Sequence, residues 1–206
     1  MSHLLPCAQF KREDQEDLGM GLQRMACIAR YSVTIFAAGL TAAGAYANEL
    51  KCEGPFARNA GHEQLVSAFG EANVAKEIVH EEGMEIKASV VFPDDPEKRL
   101  EVIWWDEEAS RQPSIVRTLG TGWSLPKGVR VGMPLNEVEA ANGRPFLLYG
   151  FGWDYGGTIS DWKGGALARL PGDCNPFAIF SPEQSSGEDA RLKVSGDSEF
   201  GSDTLK

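Results

Sequence analysis

Hydrophobic and polar positions along this chain change rhythm repeatedly, and each rhythm predicts an element. Across residues 59–70, Leu65, Val66 and Phe69 fall on one helical face. Asn59 or Gly61 stands where a helix starts, and Gly70 where it stops. Residues 71–82 are polar and acidic apart from Ile78-Val79, and predict no element. From Glu85 the period becomes two, and Ile86, Ala88, Val90 and Phe92 share one face of a strand. Pro93-Asp94-Asp95-Pro96 is a turn, because proline fixes φ and Asp bonds back to nearby backbone. Leu100, Val102 and Trp104 line the return strand of a hairpin. Residues 114–119 predict another strand closed by Gly120 and Gly122, and residues 123–131 a loop or short strand.

The helical period returns over residues 132–143. Pro134 suits a first helical turn, Leu135, Val138 and Ala141 line one face, and Asn142-Gly143 ends it. Residues 146–151 and 158–162 then predict strands around a glycine-rich turn. Residues 177–180 predict a late strand, and residues 191–194 one more. The order of a short helix ending in Gly followed by an aromatic hairpin thus occurs twice. When the two glycines are aligned, Leu65 and Phe69 correspond to Val138 and Asn142. These patterns predict an α+β fold with short helices packed on one face of a mainly antiparallel sheet, with two tandem helix-plus-hairpin units as the finer reading. From Ser185 onward Gly, Ser, Asp and Glu dominate, which predicts a polar, flexible tail over residues 185–206 after a single domain over residues 48–184.

The N-terminal region reads as an export leader. Arg24 and Arg30 supply positive charge, residues 31–44 are a short apolar run, and Ala45-Tyr46-Ala47 is a small-x-small cleavage site. The leader is placed at residues 25–47, with cleavage between Ala47 and Asn48. The apolar run falls short of the roughly 20 residues a membrane span needs. No lipoprotein-type cleavage context precedes Cys27 or Cys52. The expected product is periplasmic or secreted, with no membrane span in its mature form. Residues 1–24 are polar, mixed in charge and awkwardly placed ahead of a leader. The expected start is Met20 or Met25, which makes this piece a doubtful extension.

Charge and cysteine content narrow the picture. With 20 Lys and Arg against 30 Asp and Glu, the net charge is -10 and no basic cluster appears, which argues against nucleic-acid binding. Removing the leader removes Cys7 and Cys27, leaving Cys52 and Cys174. An even pair in an oxidising compartment predicts a disulfide, a redox or metal role being the alternative.

Candidate chemistry is sparse. Asn142-Gly-Arg-Pro-Phe-Leu-Leu-Tyr-Gly-Phe-Gly-Trp-Asp-Tyr-Gly-Gly157 supports two readings. In one, Trp153, Tyr155 and Trp162 form an exposed aromatic surface, with Asp154 and Asp161 as polar handles for a sugar or peptide. In the other, glycines turn the chain and aromatics fill a core. His62 and His80 sit in no metal-ligand spacing. No G-x-S-x-G elbow, paired catalytic carboxylates or phosphate-cradling glycine loop is present. No catalytic residue, metal or cofactor is expected, although a dispersed hydrolase site built on His62 or a carboxylate stays open.

Gly132-Met133, Glu137-Val138 and Asn142-Gly143-Arg144-Pro145 resemble the G-M-[ST]-x-x-E-V-x-x-x-x-G-x-P signature of BamE-like envelope modules. β-Lactamase-inhibitor-protein-like modules share that signature and carry a tandem helix-plus-sheet unit. Pro134 departs from the signature, replacing the capping Ser or Thr. The longer run around Cys52, residues 69–74 and residues 142–157 also resembles a family of uncharacterised secreted proteobacterial proteins. The resemblance implies a non-enzymatic protein–protein interaction module of the cell envelope with an envelope protein as partner. A carbohydrate- or peptidoglycan-binding module is the alternative, and a hydrolase the second.

Overall fold

Alternation of inward and outward side chains builds most of this structure, a computed structural model that describes residues 48–183 and 186–205 and the backbone of residues 5–9. The apolar run of the expected leader and Ala47 lie outside the described residues. The elements in chain order are β1 (Leu5–Gln9), α1 (His62–Phe69), β2 (Val74–Glu81), β3 (Met84–Val91), β4 (Leu100–Asp106), β5 (Arg111–Thr118), β6 (Ser124–Leu125), β7 (Val129–Arg130), α2 (Leu135–Asn142), β8 (Leu147–Tyr149), β9 (Ile159–Asp161), β10 (Asn175–Ile179), α3 (Glu188–Lys193) and β11 (Glu199–Gly201). The chain is α+β.

The largest sheet has the order β10-β1-β5-β4-β3-β2, and every neighbouring pair in it is antiparallel. A smaller sheet has the order β11-β8-β9, and β6 and β7 form a short ribbon. The polar stretch that predicted no element contains β2. The missed signal is Glu82-Gly83: both residues take positive φ, 49° and 81°, as a two-residue hairpin turn requires.

The expected hairpin over β3 and β4 forms with Val91 opposite Leu100 and Ser89 opposite Val102. This register puts Leu100, Val102 and Trp104 on the face of Ser89 and Val91, the opposite face from Ala88 and Val90. Both faces are apolar here. Val91, Leu100, Val102 and Trp104 join the main core, while Val79, Ala88, Val90 and Ile103 form a smaller cluster. Phe92 does not continue the Ile86-Ala88-Val90 face as its spacing predicts. Its φ of 53° breaks the alternation and packs its ring against Phe69, 5.9 Å away, on the main core.

α1 starts at Gly61, whose N–H donates to the Gln64 side chain at 2.8 Å, and it buries Leu65 completely. α2 begins one residue after Pro134 and ends at Gly143, which takes the left-handed conformation expected of it. The predicted strand over residues 191–194 is instead the end of α3. Arg191 and Lys193 in its last turn and Glu188 and Asp189 in its first suit the helix dipole. The predicted flexible tail is instead structured through residue 205. Glu199–Gly201 pairs with β8, and the Ser202 hydroxyl, fully buried, accepts the Phe146 N–H at 3.0 Å and donates to Glu139 at 2.5 Å. One short apolar residue, Phe200, was too little signal against so polar a background.

Cys52 and Cys174 form a disulfide across 122 residues of sequence, with Cα atoms 6.0 Å apart. Closing so long a loop is worth up to about 5 kcal/mol in the chain-entropy model. Among the described residues, no helix is long and apolar enough to cross a membrane.

Candidate functional site

The β8–β9 connection concentrates the predicted ligand residues, and its glycines explain its shape. A Cβ on Gly157, where φ is 78°, would stand 2.0 Å from the Phe180 carbonyl oxygen. Only glycine allows that approach, and with it the bond from the Phe180 N–H to the Gly157 carbonyl at 2.9 Å. The Gly156 N–H donates to the Trp153 carbonyl at 2.9 Å, and the Thr158 N–H to the Tyr155 carbonyl at 3.1 Å. Two successive tight turns therefore carry residues 153–155 out of the sheet.

At this tip the rings meet edge to face. Trp153 lies 5.4 Å from Tyr149 at 83° and 5.4 Å from Tyr155 at 73°. The Trp153 indole N–H donates to the Gly150 carbonyl at 2.9 Å, which fixes the ring. Trp153 is 37% exposed and Tyr155 53% exposed, and Asp154 between them is exposed. Tyr149 completes the set. It was legible only as an outward position on the strand, alternating with Leu148.

The other two predicted ligand residues sit elsewhere. Trp162 is a core residue, 7% exposed, packed on Phe146 at 5.3 Å, with its indole N–H donating to the Pro176 carbonyl at 2.8 Å. Its place on an exposed platform is thereby corrected. Directly after β9 the chain turns Trp162 back into the core against the strand's alternation, and proximity to the turn in sequence misleads. Asp161 is exposed but accepts the Lys163 N–H at 2.6 Å and faces the Lys163 ammonium at 3.5 Å. It serves its own turn at the far end of β9.

A second cluster joins three residues that are distant in sequence. The Trp104 indole N–H donates to the Ser89 hydroxyl oxygen at 3.1 Å, and that hydroxyl lies 2.8 Å from His62 Nδ1. The hydroxyl oxygen accepts from Trp104 and has both its own proton and a second lone pair for His62, the direction of that bond following the imidazole tautomer. Burial, and then the positive charge of Lys76, hold the His62 pKa below its ordinary value, against the opposing pull of Glu63. A Ser–His contact is the geometry of a nucleophile and its base, and it is the nearest approach to the dispersed hydrolase reading. Ser89, however, is 0% exposed and cannot meet a substrate. The trio ties the start of α1 to the sheet.

Charged groups gather on the sheet itself. The Arg99 guanidinium bonds Glu77 at 2.8 Å and Glu101 at 3.3 Å, and Arg117 bonds Glu101 at 2.8 Å and also pairs with Glu81. Glu77 and its hydrogen bond hold the Arg99 pKa above its ordinary value. This network crosslinks β2, β4 and β5, and its carboxylates are taken by arginines. Beside α2 and α3 lies an open groove of about 1280 Å³ bordered by Leu135, Phe151, Phe200 and Leu205. Sequence reading missed it because half its wall comes from the expected tail. Among the described residues, no group of three or more His, Cys, Asp or Glu side chains is placed to hold a metal ion.

No protein-family model, curated protein or solved structure matches the chain.

Proposed function

We propose that this is an exported, non-enzymatic module of the cell envelope that binds another protein through the tip of the β8–β9 turn. The observation that carries the reading is the arrangement of the three rings. Trp153 stands nearly perpendicular to both Tyr149 and Tyr155, so the projecting turn presents a knob of crossed rings rather than one flat face. A sugar chain stacks best on a flat, open ring face, whereas a Trp–Tyr knob suits insertion into a pocket on a protein partner. Trp and Tyr lose few rotamers on binding, and here the indole is already fixed by Gly150. The leader-like N-terminus and the Cys52–Cys174 disulfide support an oxidising compartment outside the cytoplasm. Periplasmic or secreted localisation, and an envelope protein as partner, follow as parts of the same proposal.

Glycan binding is the second reading. It is favoured by the exposed Tyr155 ring beside the Asp154 carboxylate. One experiment separates the two. A photo-crosslinking amino acid is placed at Tyr155 in living cells, with the exposed Leu119 as control position. A discrete protein adduct at 155, absent at 119 and lost on Trp153→Ala, is the expected result. No adduct at 155, together with retention of the purified protein on peptidoglycan that Trp153→Ala abolishes, establishes the glycan reading instead.

A further inference from the structure

Strand β1 lies between two walls, β10 and β5, each hydrogen-bonded to it. On one side Leu5–Gln9 pairs with β10 from Leu5 opposite Ile179 to Gln9 opposite Asn175. On the other it pairs with β5 from Cys7 opposite Arg117 to Gln9 opposite Ile115. Both pairings are antiparallel, so β5 and β10 run parallel to each other with one strand's width between them. At about 4.8 Å per strand step, the walls are roughly 10 Å apart.

Each wall is held without β1. β5 pairs along its other edge with β4. β10 follows directly on Cys174 of the disulfide. Its Pro176 carbonyl accepts the Trp162 indole N–H, Ile179 bridges to Thr158, and Phe180 just beyond it is fully buried. The strand between these walls comes from residues ahead of the expected cleavage point after Ala47. Its loss leaves two rows of backbone N–H and C=O groups facing one gap, a template for an incoming strand.

We infer that the gap between β5 and β10 is a strand-acceptor slot. Leu5–Gln9 fills it in a chain that begins at Met1 and keeps its leader, and an extended segment of a partner protein fills it in a chain begun at Met20 or Met25 or cut after Ala47. The inference rests on the proposal that the leader is removed. The register states what segment fits. Its second and fourth positions lie opposite Ala178 and opposite Val116 and Pro176, all buried, and require small or apolar residues. Its first, third and fifth positions lie opposite Ile179, opposite Phe177 and Arg117, and opposite Asn175 and Ile115. These neighbours are half-buried or exposed, and the positions accept polar side chains. The segment enters antiparallel to both walls.

The test uses two preparations. One is the exported product, purified from the envelope fraction of cells expressing the full chain, with its N-terminus read by mass spectrometry. The other is the full chain carrying a specific protease site between Leu18 and Gly19, cut after folding. Each is titrated with a fluorescent peptide of residues 3–11 bearing Cys7→Ser, and amide hydrogen exchange is followed. The expected product begins at Asn48, binds the peptide saturably, and shows slowed exchange at Ile115, Val116, Arg117, Phe177, Ala178 and Ile179. An Ala8→Pro peptide lacks one backbone donor and binds about tenfold more weakly. In the cut chain, excess peptide displaces the released fragment and protects the same residues.

A folded leaderless or cut chain that ignores the peptide overturns the slot, as does binding that protects other residues. A leaderless product that is a dimer the peptide cannot dissociate also overturns it, since a second copy then closes the gap. A product that retains Leu5–Gln9 defeats the export proposal alone, and the cut chain still decides the slot.

Discussion

α1 and α2 each end at a glycine with positive φ, 89° at Gly70 and 77° at Gly143, and each must settle the residue just before that glycine. At α1 that residue is Phe69, whose ring meets Phe56 at 5.8 Å and Phe92 and Trp123 at 5.9 Å. At α2 it is Asn142, 1% exposed. Its amide donates to the Arg144 and Trp162 carbonyls at 3.0 Å each and accepts the Leu167 N–H at 3.1 Å. The aromatic contact is non-directional, so a smaller apolar residue loses only area and volume. The amide contact is directional, so an apolar replacement removes the partner of the Leu167 N–H and takes one bond each from the Arg144 and Trp162 carbonyls. The difference follows the strands nearby. α1 is followed by long, laterally paired strands, whereas the three-residue strands after α2 leave loop backbone that a side chain must satisfy.

The comparison breaks hardest at Asn142. Asn142→Leu is expected to cost about 4 kcal/mol, from three lost hydrogen bonds with the buried Leu167 N–H left without its partner. A urea melt showing less than about 1 kcal/mol would mean that the loop re-pairs without the amide. Gly157→Ala comes next, at about 3 kcal/mol, because φ of 78° and the Phe180 carbonyl both oppose a Cβ. Phe69→Leu, the matching change at α1, is expected to cost only about 1 kcal/mol. If it equals Asn142→Leu, the distinction between the two helix ends fails.

The start of α1 adds a pH signature. His62 titrates near pH 6.5 when unfolded and lower when folded, so the unfolded chain binds the extra proton first. The contribution of this group to stability is therefore complete above about pH 6.5 and is lost as pH falls toward the lowered folded value. His62→Gln should flatten that decline in urea midpoints measured between about pH 7.5 and pH 5. An unchanged slope would show that other groups set it. The smallest effect belongs to Trp153→Ala, about 1 kcal/mol or less, since its ring is partly in water and its contacts are other surface aromatics.

Much of the fold was legible where one side chain pattern dominates. The β3–β4 hairpin announced itself by alternation, and both helices by their apolar face and terminal glycine. What hid were elements held by partners far away in sequence. β2 is polar on its outer positions and depends on β3 for its register, so only its Glu82-Gly83 turn marked it. β11 borrows its place from β8 and the buried Ser202 hydroxyl. β1 consists of five residues that no local rule sets apart. At the candidate site, spacing found Trp153 and Tyr155 but could not separate them from Trp162. Whether an aromatic beside a turn faces water depends on where the turn bends, and here Gly157 against Phe180 decides it.

The long disulfide also fixes the oxidative chemistry of the chain. Of the four cysteines, Cys7 and Cys27 precede Ala47, so a product beginning at Asn48 holds two thiols and has a single intramolecular pairing. With all four present, three complete pairings compete. Trimming the proposed leader would therefore turn a sorting problem into simple oxidation, in which an electron acceptor suffices and no reshuffling catalyst is needed. In the export proposed above, Cys52 would wait as a free thiol until Cys174, 122 residues later, emerges to pair with it.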